Sequence, residues 1–427
     1  MRRTTALLLL SALAAASITA TGPAAGSVAT ARPASTAERS ATSSSTPFAL
    51  SARGFGSRVE GEQVPVGSST TGFTALGCTN ETGRTQRNHV AEAEVPGLGT
   101  LSGVATRVTT RKHGGAVSSL SRHKIAGLVI GQDGLGSVAI NGIDSRARAW
   151  HDADGFHADT LTEIGSITFT APGMPPQELP APTPDRPVEI PGLVTIEAAR
   201  SVRNVTHEGA MAKAMVLKIT VVPTGTRARV AFSAAKISSG IKSGLFRGAA
   251  SGVHGSGLDG MLSVGQLPLS LLPCQGTGGE VVTKSLTSVD LADQVVVGAV
   301  SSSQRAWQTR RRAVAWMQGD AASIDLGGGA LHVDGIVGRV KMTKVGRHVR
   351  YSTAGTTVGR VIADGEPQTF PDTGVLEIPG VARLEPGVVI EHGRRGVKVI
   401  GLRITLLDGT GAVIDLGNAK VGVRDPS

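Results

Sequence analysis

The chain has 427 residues, of which 57 are Gly and only 12 are aromatic (8 Phe, 3 Trp and 1 Tyr), and its formal net charge is +10. This length exceeds what one hydrophobic core usually serves, so two domains are expected. The shortage of aromatic side chains disfavours thick helical packing and favours thin β layers closed by Gly turns, while the positive charge favours anionic polymers as partners.

The N-terminus predicts export. Residues 1–25 contain a charged start, an apolar run and small residues suited to signal-peptidase cleavage, and the run is shorter than the about 20 apolar residues of a membrane span. An N-terminal anchor helix is the alternative. Residues 26–47 are mostly Ser, Thr, Ala and Pro, which predicts a disordered spacer. We therefore expect a secreted or extracellular protein with no transmembrane segment after signal removal.

Most of the remaining chain is one pattern written twice. The matching pairs, in order, are 138–143 with 331–336, 176–180 with 367–371, 189–193 with 377–381, 217–221 with 402–406, and Arg146 with Arg339. This order predicts two tandem homologous β domains, residues 48–241 and 258–427, joined by a Gly-rich linker at 242–257.

The repeat also decides an ambiguous segment. Residues 208–215 have helical propensity, but their counterpart, 394–400, is interrupted by Gly and rich in β-branched residues, so both are predicted to be strands. Leu217, Ile219 and Val221 alternate with polar residues, as in a half-buried strand. The predicted fold class is all-β and sandwich-like, with a β-solenoid as the alternative.

The two cysteines, Cys78 and Cys274, occupy equivalent positions in the two copies. Equivalent points meet when two copies pack around a pseudo-twofold axis, and thiols of an exported chain are usually bonded. We predict a Cys78–Cys274 disulfide that ties the two copies together. Unpaired or intermolecular thiols are the alternative.

The signal peptide, the Gly-Phe-Gly at 54–56, the following Cys and the blocks at 173–177, 189–192 and 216–221 resemble the choice-of-anchor P family of exported bacterial proteins. The second copy has Gly252 to Gly255 where Gly-Phe-Gly is expected. The resemblance implies an exported domain carried with different C-terminal sorting signals, and it brings no catalytic residues. Residues 421–427 contain no sorting motif or apolar tail, so we expect release or non-covalent retention at the cell surface.

Three segments are candidate binding sites. Residues 151–159 resemble part of a calcium loop but lack its later ligands, so a hairpin turn and no metal site are predicted. Residues 255–260 fit a dinucleotide fingerprint outside any strand–helix context, so no cofactor is expected. A basic segment with flanking aromatics is predicted to be a hairpin turn with solvated cations, or else a contact for an anionic polymer; it contains Trp307, Arg310, Arg311, Arg312 and Trp316.

No catalytic residues are predicted, because the chain has no Gly-x-Ser-x-Gly elbow and no His whose neighbours mark a base. The sequence predicts a non-enzymatic structural or binding protein of the bacterial envelope, with an anionic envelope polysaccharide as the favoured partner and no specific nucleic acid. The alternatives are a secreted hydrolase with a non-local site and a carbohydrate-binding protein, which would need more aromatic platforms than this chain offers.

Overall fold

The computed structural model describes residues 43–60, 70–132, 134–256, 263–292, 295–372, 374–393 and 396–426. The predicted signal peptide and most of the predicted spacer lie outside these residues. The described chain is built from antiparallel strands and contains no α-helix, which confirms the all-β prediction. No helix within these ranges is long and apolar enough to cross a membrane.

Within the described residues, the first half of the chain supplies fourteen strands. These are β1 (Ser45–Glu60), β2 (Thr74–Glu81), β3 (Thr85–Val95), β4 (Gly99–His113), β5 (Ala116–Gln132), β6 (Gly136–Asp152), β7 (Gly155–Glu163), β8 (Ser166–Thr170), β9 (Gln177–Leu179), β10 (Val188–Ile190), β11 (Val194–Ala198), β12 (Val202–Thr206), β13 (Gly209–Val221) and β14 (Thr226–Ser238).

The second half supplies sixteen more. These are β15 (Leu245–Ser256), β16 (Ser263–Leu267), β17 (Ser270–Leu271), β18 (Val282–Leu286), β19 (Val289–Ala292), β20 (Val295–Val297), β21 (Val300–Gln308), β22 (Arg312–Leu326), β23 (Leu331–Val345), β24 (His348–Ser352), β25 (Val361–Ala363), β26 (Glu366–Gln368), β27 (Leu376–Ile378), β28 (Ala382–Glu391), β29 (Val397–Leu406) and β30 (Val413–Arg424).

The strands form four antiparallel sheets. Sheet I has the order β10-β11-β13-β14-β1-β2 with β12 beside β13, and sheet II has the order β3-β4-β5-β6-β8-β9 with β7 beside β6. Sheet III has the order β27-β28-β29-β30-β15-β16 with β17 beside β15. Sheet IV has the order β18-β21-β22-β23-β25-β26, with β24 beside β23 and β20 linking β19 to β22. Sheets I and III therefore share one connectivity, and sheets II and IV share another.

The sheets pack face to face in pairs, which is sandwich-like rather than solenoidal. In the first sandwich, Leu101 and Ile140 of sheet II share one buried cluster with Leu217 of sheet I. In the second, Ile324 of sheet IV shares a cluster with Leu402 of sheet III. Within a sandwich, side chains alternate between the partner sheet and the outward face, and the alternation predicted at Leu217 is confirmed by its full burial beside an exposed neighbour.

The observed strands shift two predicted boundaries. β1 begins at Ser45, inside the predicted spacer, where the carbonyl of Ser44 accepts a hydrogen bond from the amide of Thr82 (2.9 Å). The predicted linker is mostly strand β15, which pairs with β30 along its whole length. Its glycines serve close packing rather than flexibility, since a Cβ on Gly252 would lie 2.5 Å from the Cβ of Val300.

The described residues belong to one compact unit, and within them no strand of β1–β14 pairs with a strand of β15–β30. The division into two separate domains stays a prediction. The two sandwiches meet at the predicted cysteine pair, which lies at disulfide distance with Cα atoms 5.4 Å apart. Around it pack Ala49, Ile241 and Leu245. Gln308 holds the connecting turn, because its side-chain oxygen accepts the backbone amides of residues 242–244 at 2.9–3.0 Å.

The centre of each sandwich is narrow. In the second sandwich, a Cβ added to Gly338 would lie 1.6 Å from the carbonyl oxygen of Gly417 on the facing sheet. In the first sandwich, Ser145 on β6 is the repeat partner of Gly338, and its hydroxyl hydrogen-bonds that of Ser233 on the facing strand β14 at 2.9 Å. The facing backbones are thus in direct contact in one sandwich and bridged by serine side chains in the other.

A fully buried histidine, His123, lies beside the narrow centre of the first sandwich. The hydroxyl of Thr106 donates to the carbonyl of Gly72 (2.7 Å), so it must accept from Nδ1 of His123 (2.6 Å), and Nε2 of His123 has no partner in the described chain. Burial lowers the pKa of His123 to about 4, and the nearby charge of Asp144 offsets only part of this shift.

This histidine predicts acid sensitivity of the first sandwich. The unfolded chain takes up the proton near the ordinary pKa of 6.5, whereas the folded chain does so near 4, so stability falls as the pH drops through this window. We expect a loss of roughly 3 kcal/mol. Urea unfolding between pH 7 and pH 4 measures it. The variant His123→Asn can still donate to Thr106 but cannot titrate, so its pH profile should be flatter; parallel profiles would contradict the prediction.

Candidate anion-binding face

The predicted basic segment forms the hairpin between β21 and β22. The amide of Thr309 donates to the carbonyl of Arg312 (2.7 Å), which closes the turn, and Arg310 and Arg311 are exposed at its tip. The interpretation as a hairpin turn is confirmed. In the ladder, Trp307 lies opposite Val314 and Arg305 lies opposite Trp316, so both indoles are on the outward face of sheet IV.

Two more strands extend this face with cations. On β23, Lys341 lies opposite Trp316 and Arg339 lies opposite Gln318. On β24, Arg350 lies opposite Thr343. The outward face of β23 and β24 borders a concavity of about 590 Å³, which is lined by Arg339, Lys341 and Arg350. We call the outward surface carrying Arg305, Trp307, Arg312, Trp316, Arg339, Lys341 and Arg350 the basic face.

The two indoles contact guanidinium groups and are therefore not free stacking surfaces for a ligand. The guanidinium of Arg339 lies 5.0 Å from the ring centre of Trp316, and that of Arg312 lies 5.5 Å from the ring centre of Trp307. The indole nitrogen of Trp316 is buried and has no hydrogen-bond partner among the residues the structure covers. Each ring therefore holds a guanidinium in place by a cation–π contact and leaves its donors available.

The charge of the basic face is largely uncompensated. In the described part of the chain, no carboxylate lies within 4 Å of the cationic groups of Arg312, Arg339, Lys341 or Arg350. The one acid in the ladder rows beside them, Asp320, already accepts hydrogen bonds from Ser301 and Gln318 at 2.7 Å. At the rim, Tyr351 donates a hydrogen bond to Glu391.

The equivalent face of the first sandwich carries two ion-paired carboxylates. On sheet II, Asp144 accepts hydrogen bonds from Arg122 (2.5 Å) and lies 3.5 Å from Lys124, and Asp159 lies 3.2 Å from Arg146. Hydrogen bonding to Asp144 raises the pKa of Arg122. The repeat places Val337 where the first copy has Asp144, and Ser352 where it has Asp159. The second face thus lacks two carboxylates of the first, while Asp320 lies where the first face has Lys124.

Sequence reasoning found the hairpin but missed half of the basic face. Arg339, Lys341 and Arg350 lie on β23 and β24 and join Trp316 through strand pairing, which no local motif announces. One signal was present: Arg339 is the repeat partner of Arg146, which lies on the equivalent face of sheet II.

The other two predicted segments are also located. Residues 151–159 form the β6–β7 hairpin, where His157 stacks on Trp150 and hydrogen-bonds Asp152 (2.9 Å). Of residues 255–260, Gly255 and Ser256 end β15, and the others lie outside the described residues. Elsewhere, the ring of His332 is held between Asp325 (2.5 Å) and Asp334 (2.7 Å), and these hydrogen bonds raise the pKa of His332.

Comparison of the chain with known protein families, curated proteins and solved structures found no match. The resemblance to the choice-of-anchor P family stays a prediction.

Proposed function

We propose that this chain is an exported, non-enzymatic binding protein of the bacterial envelope that holds an anionic polysaccharide on its basic face. The observation that carries the proposal is the set of cations on sheet IV that have no carboxylate partner among the described residues, on a face where Val337 and Ser352 replace the ion-paired Asp144 and Asp159 of the first sandwich. A polymer with repeated negative charges can engage several of these groups at once, which adds the small individual contributions.

Export is supported by the N-terminal signal pattern and by the cysteine pair, because disulfides persist in oxidising compartments. The cations of the basic face are spread over β21, β22, β23 and β24, so an extended polymer can contact more of them at once than a small substrate held in the concavity. Retention at the cell surface would then be non-covalent, through the polymer itself.

The test removes three charges from the basic face. We expect the triple variant Arg339→Gln, Lys341→Gln, Arg350→Gln to bind polygalacturonate on the order of tenfold more weakly than the unchanged chain, and added salt to weaken the unchanged chain's binding. Affinity electrophoresis at low and high salt measures both effects. Dextran, a neutral polysaccharide, should not be retained.

The matched control removes the same number of charges elsewhere. Lys218, Arg227 and Arg229 are exposed on sheet I, and their replacement by Gln should leave binding nearly unchanged. Equal losses in both triple variants would show that only net charge matters and would contradict a defined site. Tighter binding of a DNA duplex than of polygalacturonate would contradict the polysaccharide as the partner.

A further inference from the structure

A second cavity lies where the two sandwiches meet. Its volume is about 640 Å³, and its walls come from β1, β2, β13 and β14 of sheet I and, in the second sandwich, from β15 and the segment that ends at Cys274. Both cysteines of the disulfide line it. The cavity therefore exists only while the two sandwiches are held together, and its size is that of a pocket for a small molecule.

One end of the cavity is cationic. The ladder places Lys213 and Arg53 on either side of Ala234, and Lys236 follows two residues along β14 on the same face. The small side chain of Ala234 leaves space between the three cations. Among the described residues that line the cavity, none is acidic, and none of the three cations has a carboxylate within 4 Å.

Lys236 is held there at an electrostatic cost. Burial lowers the pKa of Lys236, and the like charge of Lys213 lowers it further. A bound anion would relieve both effects, because it supplies the opposite charge that the protein itself does not place there.

The rest of the cavity is largely apolar and partly open, although Arg247, which donates a hydrogen bond to the carbonyl of Cys78 (3.4 Å), also lines it. Phe73 is 48% exposed and Leu271 is 45% exposed. Met211, which lies opposite Lys236 in the ladder, and Leu76 line the cavity as well. A cationic end next to an apolar wall matches a ligand that has a charged head and an alkyl chain.

We propose that this cavity binds a single-chain amphiphile with an anionic head, a carboxylate or a phosphate monoester. The head lies between Arg53, Lys213 and Lys236, and the alkyl chain covers Phe73, Met211 and Leu271. This site lies on sheet I and the junction, so it is separate from the basic face of sheet IV and does not depend on the function proposed above.

The test is calorimetric titration of the full chain with dodecanoate below its micelle-forming concentration. We expect saturable binding of one dodecanoate, and none of acetate or of dodecyltrimethylammonium, which has the same chain length and the opposite charge. Comparison of dodecanoate with dodecyl phosphate identifies the preferred head; a preference for either supports the proposal.

Two kinds of variant locate the ligand. Lys213→Met with Lys236→Met should weaken dodecanoate binding about tenfold or more, because hydrogen bonds to charged groups are lost, whereas Lys218→Met on the same strand lies outside the cavity and should change it less than about twofold. Leu271→Asn, at a half-exposed position of the opposite wall, should also weaken it without affecting folding. Equal binding of dodecanoate and dodecyltrimethylammonium, or unchanged binding by the double lysine variant, overturns the proposal. The triple variant of the basic face should bind dodecanoate normally, so the two proposals fail independently.

Discussion

The variant Gly338→Ala is expected to unfold the second sandwich under conditions where the unchanged chain is folded. The added methyl group would lie 1.6 Å from the carbonyl oxygen of Gly417 and 2.8 Å from the amide nitrogen of Gly401, both backbone atoms of the facing sheet. Neither can move without separating the sheets. Overpacking in a core costs typically about 1–3 kcal/mol when side chains can adjust, and here we expect more than about 3 kcal/mol because the obstacle is backbone.

Tryptophan fluorescence during urea unfolding measures this effect sandwich by sandwich. Trp150 is in the first sandwich, and Trp307 and Trp316 are in the second, so Trp150→Phe leaves reporters in the second sandwich alone. The control is Gly131→Ala, a strand glycine whose added Cβ would meet nothing closer than the Cβ of Ser137 at 3.7 Å. If the Gly338→Ala protein unfolded at the same urea concentration as the Gly131→Ala control, the two sheets would have to lie farther apart at Gly338 than the structure shows.

Removing the disulfide is expected to lower stability by as much as about 5 kcal/mol, the chain-entropy value for a crosslink between residues separated by 196 positions. The double variant Cys78→Ala, Cys274→Ala is the appropriate change, because Cys274 is buried among apolar residues and Ala keeps that environment. The carbonyl of Cys78 can still accept hydrogen bonds from Arg247 and Arg424, so the junction itself should persist.

The measurement is the urea midpoint with and without dithiothreitol. The reductant should destabilise the unchanged chain and leave the double variant as it is, which separates loss of the crosslink from other effects of the reagent. An unchanged midpoint for the reduced natural chain would mean that the crosslink does not constrain the unfolded state.

Much of the fold could be predicted from the repeat. Matching Leu217 with Leu402 aligned β13 with β29, and matching Cys78 with Cys274 placed the crosslink. Both inferences depend only on the order of equivalent residues. That order is the same even where the local propensity favours another structure. Segment 208–215 is an example, since its helical composition is overridden by its place between β12 and β14 in sheet I.

Which side chains of a strand face the core was harder to predict from the sequence. Along β13, Ala210, Ala212 and Ala214 face the core, and then Leu217 and Ile219 do, so the inward set changes from even to odd positions. The change falls beside Ala231 on β14, a residue with φ of +56° whose repeat partner is Gly417 with φ of +62°. Because a left-handed residue reverses the pleat locally, period-two reasoning fails across it, and an alanine there carries no warning in the sequence.

The basic face and the junction cavity were the features hardest to predict from the sequence. The basic face joins residues of β21, β22, β23 and β24, and the junction cavity joins both halves of the chain. Each residue taken alone is an ordinary surface cation or apolar side chain, and only the pairing of strands brings them together.

The position of the crosslink also has a mechanical consequence. A pull applied to the chain before Cys78 and after Cys274 passes through the sulfur–sulfur bond, so strands β3–β17 lie on a closed loop that bears no load. Stretching would extend only the segments outside that loop, which are β1 and the first half of β2 of the first sandwich and β18–β30 of the second.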